Sequence, residues 1–124
     1  MTAENLKQVV VEALDDIKAQ DVTVLDVSEK TTVTDFMVIA SGTSNRHVKA
    51  IADSVAEDAG KKGFKAMSQE GEAGSEWVLL DFGDLILHVM LPEARAYYDI
   101  ERLWEGTVAD EENQAMAEAM INRT

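Results

Sequence analysis

Four aspartates lie beside predicted strands, where a fold could gather them into a magnesium site. They are Asp26, Asp35, Asp81 and Asp84. Carboxylates held close together bind Mg²⁺ and support nucleotidyl transfer. No Asp-x-Asp pair follows the Gly-Thr-Ser segment at 42–44, so spacing alone does not bring two carboxylates together. A magnesium-dependent, nucleotidyltransferase-like enzyme therefore remains one hypothesis of function.

Two short motifs that resemble catalytic ones have simpler structural explanations. Residues 81–84, Asp-Phe-Gly-Asp, contain the metal-binding triplet of protein kinases, but the chain lacks the Gly-rich loop, strand lysine and catalytic-loop motif that accompany it. Glycine and aspartate favour tight turns, so this segment predicts a hairpin. Thr43 or Ser44 is predicted to cap a helix, because a hydroxyl oxygen accepts from the free N–H groups of a first turn.

The two histidines give little sign of a metal centre. His47 and His88 are far apart, and the chain has no cysteine and no His-Glu-x-x-His motif. His88 lies inside an apolar run, which predicts a hydrogen-bonded structural histidine. We therefore expect no metal and no cofactor.

Aromatic residues in the second half of the chain are stronger candidates for a functional surface. Trp77, Tyr97, Tyr98 and Trp104 are four of the seven aromatics, and acids surround them in the sequence. Aromatic side chains are enriched at protein interfaces and often dominate the binding energy. Tyr97 and Trp104 could equally fill the core, because they recur at helical spacing. Trp77 follows an acidic loop, which favours its exposure.

The hydrophobic pattern predicts the helices and strands that must position these residues. Apolar residues recur every three to four positions in the helices, and β-branched or continuous apolar runs mark the strands. The predicted helices span 2–19, 45–59 and 92–105, and the predicted strands span 22–27, 36–40, 65–68, 77–80 and 85–90. Gly60 and Gly63 are predicted to end the second helix. The order α-β-β-α-β-β-β-α indicates a mixed α/β sheet packed by helices.

Composition and charge limit the classes of partner. The 124 residues carry a net charge of −13, which disfavours phosphate backbones and anionic membranes and favours a basic protein surface. The same acidity could serve solubility alone. The N-terminus lacks a signal-peptide pattern, cysteine is absent, and no run reaches the roughly 20 apolar residues of a membrane helix. We therefore expect a cytoplasmic protein without direct binding to nucleic acid or membrane.

Ordered motifs along the chain resemble those of the ribosomal silencing factor family. Residues 34–44, 46–48 and 51–53 resemble its central signature. Its second signature and closing helix are matched by Glu70-Gly71, Trp77, 81–84, His88-Val89, Tyr98, Glu101, Leu103 and Trp104. The resemblance covers residues 4–105. We expect a family domain at 1–106 and an acidic Ala/Met-rich C-terminal extension at 107–124, either helical or frayed.

The resemblance implies a fold, partners and a mode of action. The implied fold is a five-stranded mixed sheet of nucleotidyltransferase-like topology that lacks the catalytic carboxylate pair. The implied partners are a second copy of the chain, forming a homodimer in isolation, and the large ribosomal subunit, contacted through the basic ribosomal protein L-fourteen. The implied function is translational repression without catalysis, because the bound protein blocks joining of the small subunit when nutrients are limiting.

The resemblance and the aromatic pattern together predict a partner-binding surface. Its residues are Trp77, Glu70, Asp81, Tyr98 and Glu101. Trp77 is the expected anchor, and the others are acidic or aromatic partners of a basic surface. The segment 41–46 is expected to stabilise the fold or to shape the dimer. A dimeric scaffold for another receptor of acidic proteins is a third hypothesis.

Overall fold

The helices and strands follow one another in the predicted order in a computed structural model that describes residues 2–71 and 74–99. The helices are α1 (Ala3–Asp16), α2 (Asn45–Lys61) and α3 (Pro92–Tyr98), and the strands are β1 (Gln20–Asp26), β2 (Phe36–Ser41), β3 (Ser68–Glu70), β4 (Trp77–Asp81) and β5 (Leu85–Met90). Within these residues, every helix is too short or too polar to cross a bilayer. The predicted C-terminal extension at 107–124 lies outside the described part of the chain.

The five strands form one mixed sheet in the order β1-β2-β5-β4-β3. The central strands β2 and β5 run parallel, and every other neighbouring pair is antiparallel. All residues of both central strands are buried, as the continuous apolar pattern predicted for β2. The predicted mixed five-stranded sheet and the hairpin between β4 and β5 are therefore confirmed.

The sheet has an apolar core on each face because side chains alternate along a strand. On the first face, α1 and α2 pack Val10, Leu14, Ile51 and Val55 against strand residues such as Leu87. On the second face, a smaller core contains residues of β2, β4 and β5 together with one buried residue of α3. These second-face residues are Met37, Ile39, Leu79, Ile86, Met90 and Ala94. Full burial of one large aliphatic side chain stabilises a fold by roughly 1.5–3 kcal/mol.

The predicted boundaries of several elements are wrong by two or three residues, and α3, predicted over 92–105, ends at Tyr98 because Asp99 adopts a left-handed φ of 50°. Helix α1 stops early because Lys18 adopts a φ of 60°, a left-handed conformation that cannot continue a helix. Helix α2 runs through Gly60, and the turn is made by Gly63 at a φ of 92°. Strand β3 lies at Ser68–Glu70 instead of 65–68, because its register is set by pairing with β4. Strand β1 begins two residues earlier than predicted.

Candidate partner-binding site

The predicted binding residues that the structure describes share the second face of the sheet. Trp77 and Asp81 are the first and last residues of β4, so they point to the same face. Glu70 of β3 pairs with Leu79, which belongs to the second-face core. Tyr98, at the end of α3, packs against that core. Glu101 lies outside the described residues.

A close backbone approach sets the start of β4 and therefore the position of Trp77. Gly71 has a φ of 110°, which side-chain-bearing residues rarely adopt. A Cβ atom at Gly71 would lie 2.9 Å from the Trp77 carbonyl oxygen and 3.0 Å from Cα of Val78. Only glycine fits this position without a shift of the strand, so the Glu70-Gly71 motif has a structural reason.

Four rings form an aromatic cluster, consisting of Trp77, His88, Tyr97 and Tyr98. The ring centroids of Trp77 and Tyr98 are 4.7 Å apart, and those of Trp77 and His88 are 5.6 Å apart. Tyr97 meets Tyr98 edge-on at 5.1 Å. Trp77 and Tyr98 are half-buried, whereas Tyr97 is 83% exposed. The cluster therefore joins the second-face core to an exposed aromatic surface.

His88 is the fully buried member of the cluster. Its Nδ1 atom accepts a hydrogen bond of 2.9 Å from the indole Nε1–H of Trp77. A ring nitrogen that accepts carries no proton, so the neutral imidazole must carry its proton on Nε2. Burial lowers the pKa of His88 to about 3, which keeps the ring neutral. The predicted hydrogen-bonded histidine is confirmed at Nδ1, but Nε2 has no hydrogen-bond partner among the described residues.

The two acidic site residues lie on strands at the margin of the second-face core. Glu70 is exposed on the edge strand β3, and Asp81 is half-buried. The Oδ1 atom of Asp81 accepts from the Gly83 amide at 2.7 Å, which holds the hairpin turn. Asp81 is therefore at least partly structural, whereas Glu70 is available to a partner.

Tyr97 and Arg95, which the predicted site does not include, also belong to this region. Tyr97 was assigned equally to core or surface, and its 83% exposure places it on the surface. Tyr98 packs against the second-face core, and successive side chains of a helix point about 100° apart, so Tyr97 is turned away from that core. Arg95 donates from its two terminal nitrogens to Ser41 Oγ and Thr23 Oγ1, each at 2.9 Å. These partners are 54 and 72 residues away, so no local sequence pattern could reveal them.

The segment at 41–47 has structural roles in the fold. Of the two residues predicted to cap α2, Ser44 is the N-cap, and its side chain accepts a hydrogen bond of 3.1 Å from the His47 amide. His47 accepts at Nδ1 from the Thr43 amide, and its Nε2 lies 3.3 Å from the carbonyl oxygen of Ile17 beyond α1. A Cβ atom at Gly42 would lie 2.9 Å from the Val48 amide nitrogen, so glycine lets α2 begin directly against β2.

Two of the four aspartates considered for magnesium, Asp26 and Asp81, accept hydrogen bonds through their side chains. Asp26 accepts from the hydroxyl and amide of Ser28, and these hydrogen bonds lower the pKa of the Asp26 carboxyl. Asp35 and Asp84 are joined through their backbones, at 3.1 Å from amide to carbonyl. Residues 2–71 and 74–99 contain no group of three or more histidine, aspartate or glutamate side chains suited to holding a metal. Within the described residues, the magnesium hypothesis therefore has no cluster of three or more ligands in its favour.

The fold and the aromatic cluster together define a small mixed α/β protein with one partly exposed aromatic face. A family model described as ribosomal silencing factor during starvation matches residues 1–123. A ribosomal silencing factor from Chromobacterium violaceum is 45% identical over 106 residues, which cover 86% of this chain and 87% of the relative. A crystal structure of a protein from the same species has 46% identity and a TM-score of 0.82, with 87% of this chain and 90% of that chain covered.

A eukaryotic relative extends the similarity to organelles. The mouse protein named mitochondrial assembly of ribosomal large subunit protein 1 is 37% identical over 91 residues, which cover 69% of this chain and 39% of the relative. The chain belongs to the ribosomal silencing factor family, as its motifs predicted. The name of the family describes the regulation of translation and no chemical reaction.

Proposed function

We propose that this protein is a cytoplasmic translational repressor that binds the large ribosomal subunit through the basic ribosomal protein L-fourteen. In this proposal the bound protein occupies the face that meets the small subunit and sterically prevents joining when nutrients are limiting. Membership of a family described by ribosome silencing during starvation supports the role. The name of the mouse relative, which refers to assembly of the ribosomal large subunit, supports that subunit as the partner.

The observation that carries the proposal is the exposed aromatic surface beside the edge strand that carries the exposed Glu70. Tyr97 is 83% exposed, and it continues into the half-buried pair Tyr98 and Trp77. Large rigid rings bury much apolar area at little entropic cost, so they make effective anchors in an interface. Glu70 is exposed on the adjoining edge strand and can face cations of a basic partner. A steric mechanism of this kind needs no catalytic group.

Charge supports a protein partner in preference to an RNA one. The net charge of −13 repels phosphate backbones and attracts basic protein surfaces, which speeds association. Homodimer formation in isolation and a domain boundary at residue 106 remain parts of the proposal.

Co-sedimentation with isolated large subunits tests the proposal directly. We expect the purified protein to pellet with large subunits, and joined ribosomes to become fewer as its concentration rises after small subunits are added. Failure to pellet at moderate salt would refute the proposal. A thermal shift with Mg-ATP or Mg-GTP would then support the enzyme hypothesis instead, because a ligand that binds only the native state raises its stability.

Two variants locate the surface without disturbing the fold. Tyr97→Ala removes an exposed ring, so stability should be unchanged while the affinity for large subunits falls by roughly tenfold, as for an interface anchor. Glu70→Lys should weaken binding by repelling a basic partner. Asp16→Lys makes the same change of charge at the exposed end of α1, in the helix layer on the opposite face, and should leave binding intact. Equal losses in both lysine variants would mean that only overall charge matters.

A further inference from the structure

The buried imidazole of His88 is an unfavourable feature of the second-face core, because one of its nitrogens lacks a hydrogen-bond partner among the described residues. It is fully buried, and its neighbours Ile86 and Met90 on the same face of β5 are apolar. Because Nδ1 accepts from Trp77, Nε2 must carry a hydrogen that meets no acceptor among the described residues. Buried polar groups are almost always hydrogen-bonded, and an orphaned donor destabilises a fold. An aliphatic side chain of similar volume would avoid this loss, so stability alone does not explain a histidine here.

The contact that His88 does make orients the indole of Trp77. The indole N–H is the only polar group of a tryptophan side chain, and His88 Nδ1 accepts it at 2.9 Å. The two residues lie on adjacent strands, with Trp77 on β4 and His88 on β5. One directional bond to a fully buried, neutral acceptor fixes which edge of the indole faces the sheet. Tyr98, 4.7 Å away, packs against the ring so held.

We propose that His88 is a positioning residue that holds the Trp77 indole in the orientation its macromolecular partner contacts, at a cost in the stability of the fold. The inference rests on the proposed function, in which Trp77 belongs to the aromatic surface that contacts a basic ribosomal protein. Residues that violate the rules of a stable core without local compensation tend to serve function. His88 meets this description because one nitrogen positions Trp77 and the other has no hydrogen-bond partner within residues 2–71 and 74–99.

Two substitutions at this position separate positioning from stability. His88→Leu removes the orphaned donor, and the N–H of the half-buried Trp77 indole can then turn toward water, so the urea midpoint should stay the same or rise. The affinity for large subunits should fall by roughly tenfold. His88→Asn keeps an oxygen near the place of Nδ1 and should recover most of the affinity. Val55→Ala, a cavity on the opposite face of the sheet, should lower the midpoint and leave the affinity unchanged.

A merely structural histidine would not produce a loss of affinity without a loss of stability in His88→Leu. If His88→Leu lowers both the urea midpoint and the affinity, or leaves the affinity intact, the positioning role is wrong. Tyr97→Ala distinguishes this failure from failure of the proposed function. A loss of affinity in Tyr97→Ala without a loss in His88→Leu overturns only the role of His88. No loss in either variant overturns the proposed binding surface as well.

The orientation itself can be measured without ribosomes. In a ¹⁵N-labelled sample, the indole N–H of Trp77 should exchange slowly with solvent in the wild-type chain, quickly in His88→Leu and slowly again in His88→Asn. Trp104→Phe assigns the two indole signals. An unprotected Trp77 indole in the wild-type chain would overturn the inference even if large subunits bind.

Discussion

Mild acid should destabilise this protein through the single buried imidazole of His88. The pKa of His88 is about 3 in the folded chain, against 6.5 for an ordinary histidine, because burial penalises the charged ring. Between these values the unfolded chain binds a proton that the folded chain does not, so stability falls as the pH falls. The ring therefore does not alter the stability above pH 6.5, and the free energy of unfolding falls progressively as the pH drops from 6.5 toward 3.

The magnitude follows from the shift in the pKa of His88. Each pH unit in the window changes the free energy of unfolding by about 1.4 kcal/mol, so acidification from pH 6.5 to pH 5 should cost about 2 kcal/mol. This loss is a large fraction of the roughly 5–15 kcal/mol by which a small domain is stable. The lowered carboxyl pKa of Asp26, due to its hydrogen bonds with Ser28, acts below the ordinary value of 3.8 and so lies outside this range.

Urea unfolding at pH 7.5 and pH 5 measures this effect, with His88→Leu as the matched control. The variant keeps every other titratable group, including His47, so the difference between the two chains isolates the buried ring. We expect the wild-type chain to lose about 2 kcal/mol more than the variant across this interval. Parallel losses in the two chains would refute the reasoning, because they would mean that the ring can take up a proton in the folded state.

Three further substitutions test contacts that position the site. Gly42→Ala should destabilise the fold by ~1–3 kcal/mol in urea unfolding, because the new Cβ atom would lie 2.9 Å from Val48 at the start of α2. An unchanged urea midpoint would contradict this close approach. Ser44→Ala should cost ~1 kcal/mol by circular-dichroism melting through loss of the α2 cap, and Ser44→Thr should recover most of it. Arg95→Met should lower the free energy of unfolding by ~2 kcal/mol, because it removes the two hydrogen bonds that hold α3 to β1 and β2. Amide hydrogens of α3 should then exchange faster than those of α1, and equal exchange rates in the two helices would contradict this role of Arg95.

Part of the candidate site could be predicted from local signals, and part could not. The acidic loop before Trp77 is a short-range pattern, so the sequence marks this residue as a candidate, whereas Asp81 enters the predicted site only through the family resemblance. The sequence does not decide whether Tyr97 faces the core or solvent, because Tyr97 and Trp104 recur at helical spacing, which is also typical of core packing. The Trp77–His88 bond depends on the register of the β4–β5 hairpin, in which Trp77 pairs with Met90 and His88 with Leu79.

The sequence by itself determined the order of elements, the mixed sheet and the family. The spacing of hydrophobic residues and the presence of turn residues depend on only a few neighbouring positions, so helices, strands and turns can be predicted from the sequence. Only the tertiary structure decided that Arg95 reaches Thr23 and Ser41. It also decided that the buried His88 has one nitrogen bonded to Trp77 and one without a partner in the described part of the chain. The physical reason is that side chains distant in sequence meet through strand order and helix docking, which minimise the free energy of the whole core. Hydrogen bonds depend on distances and angles that emerge only when that core is packed.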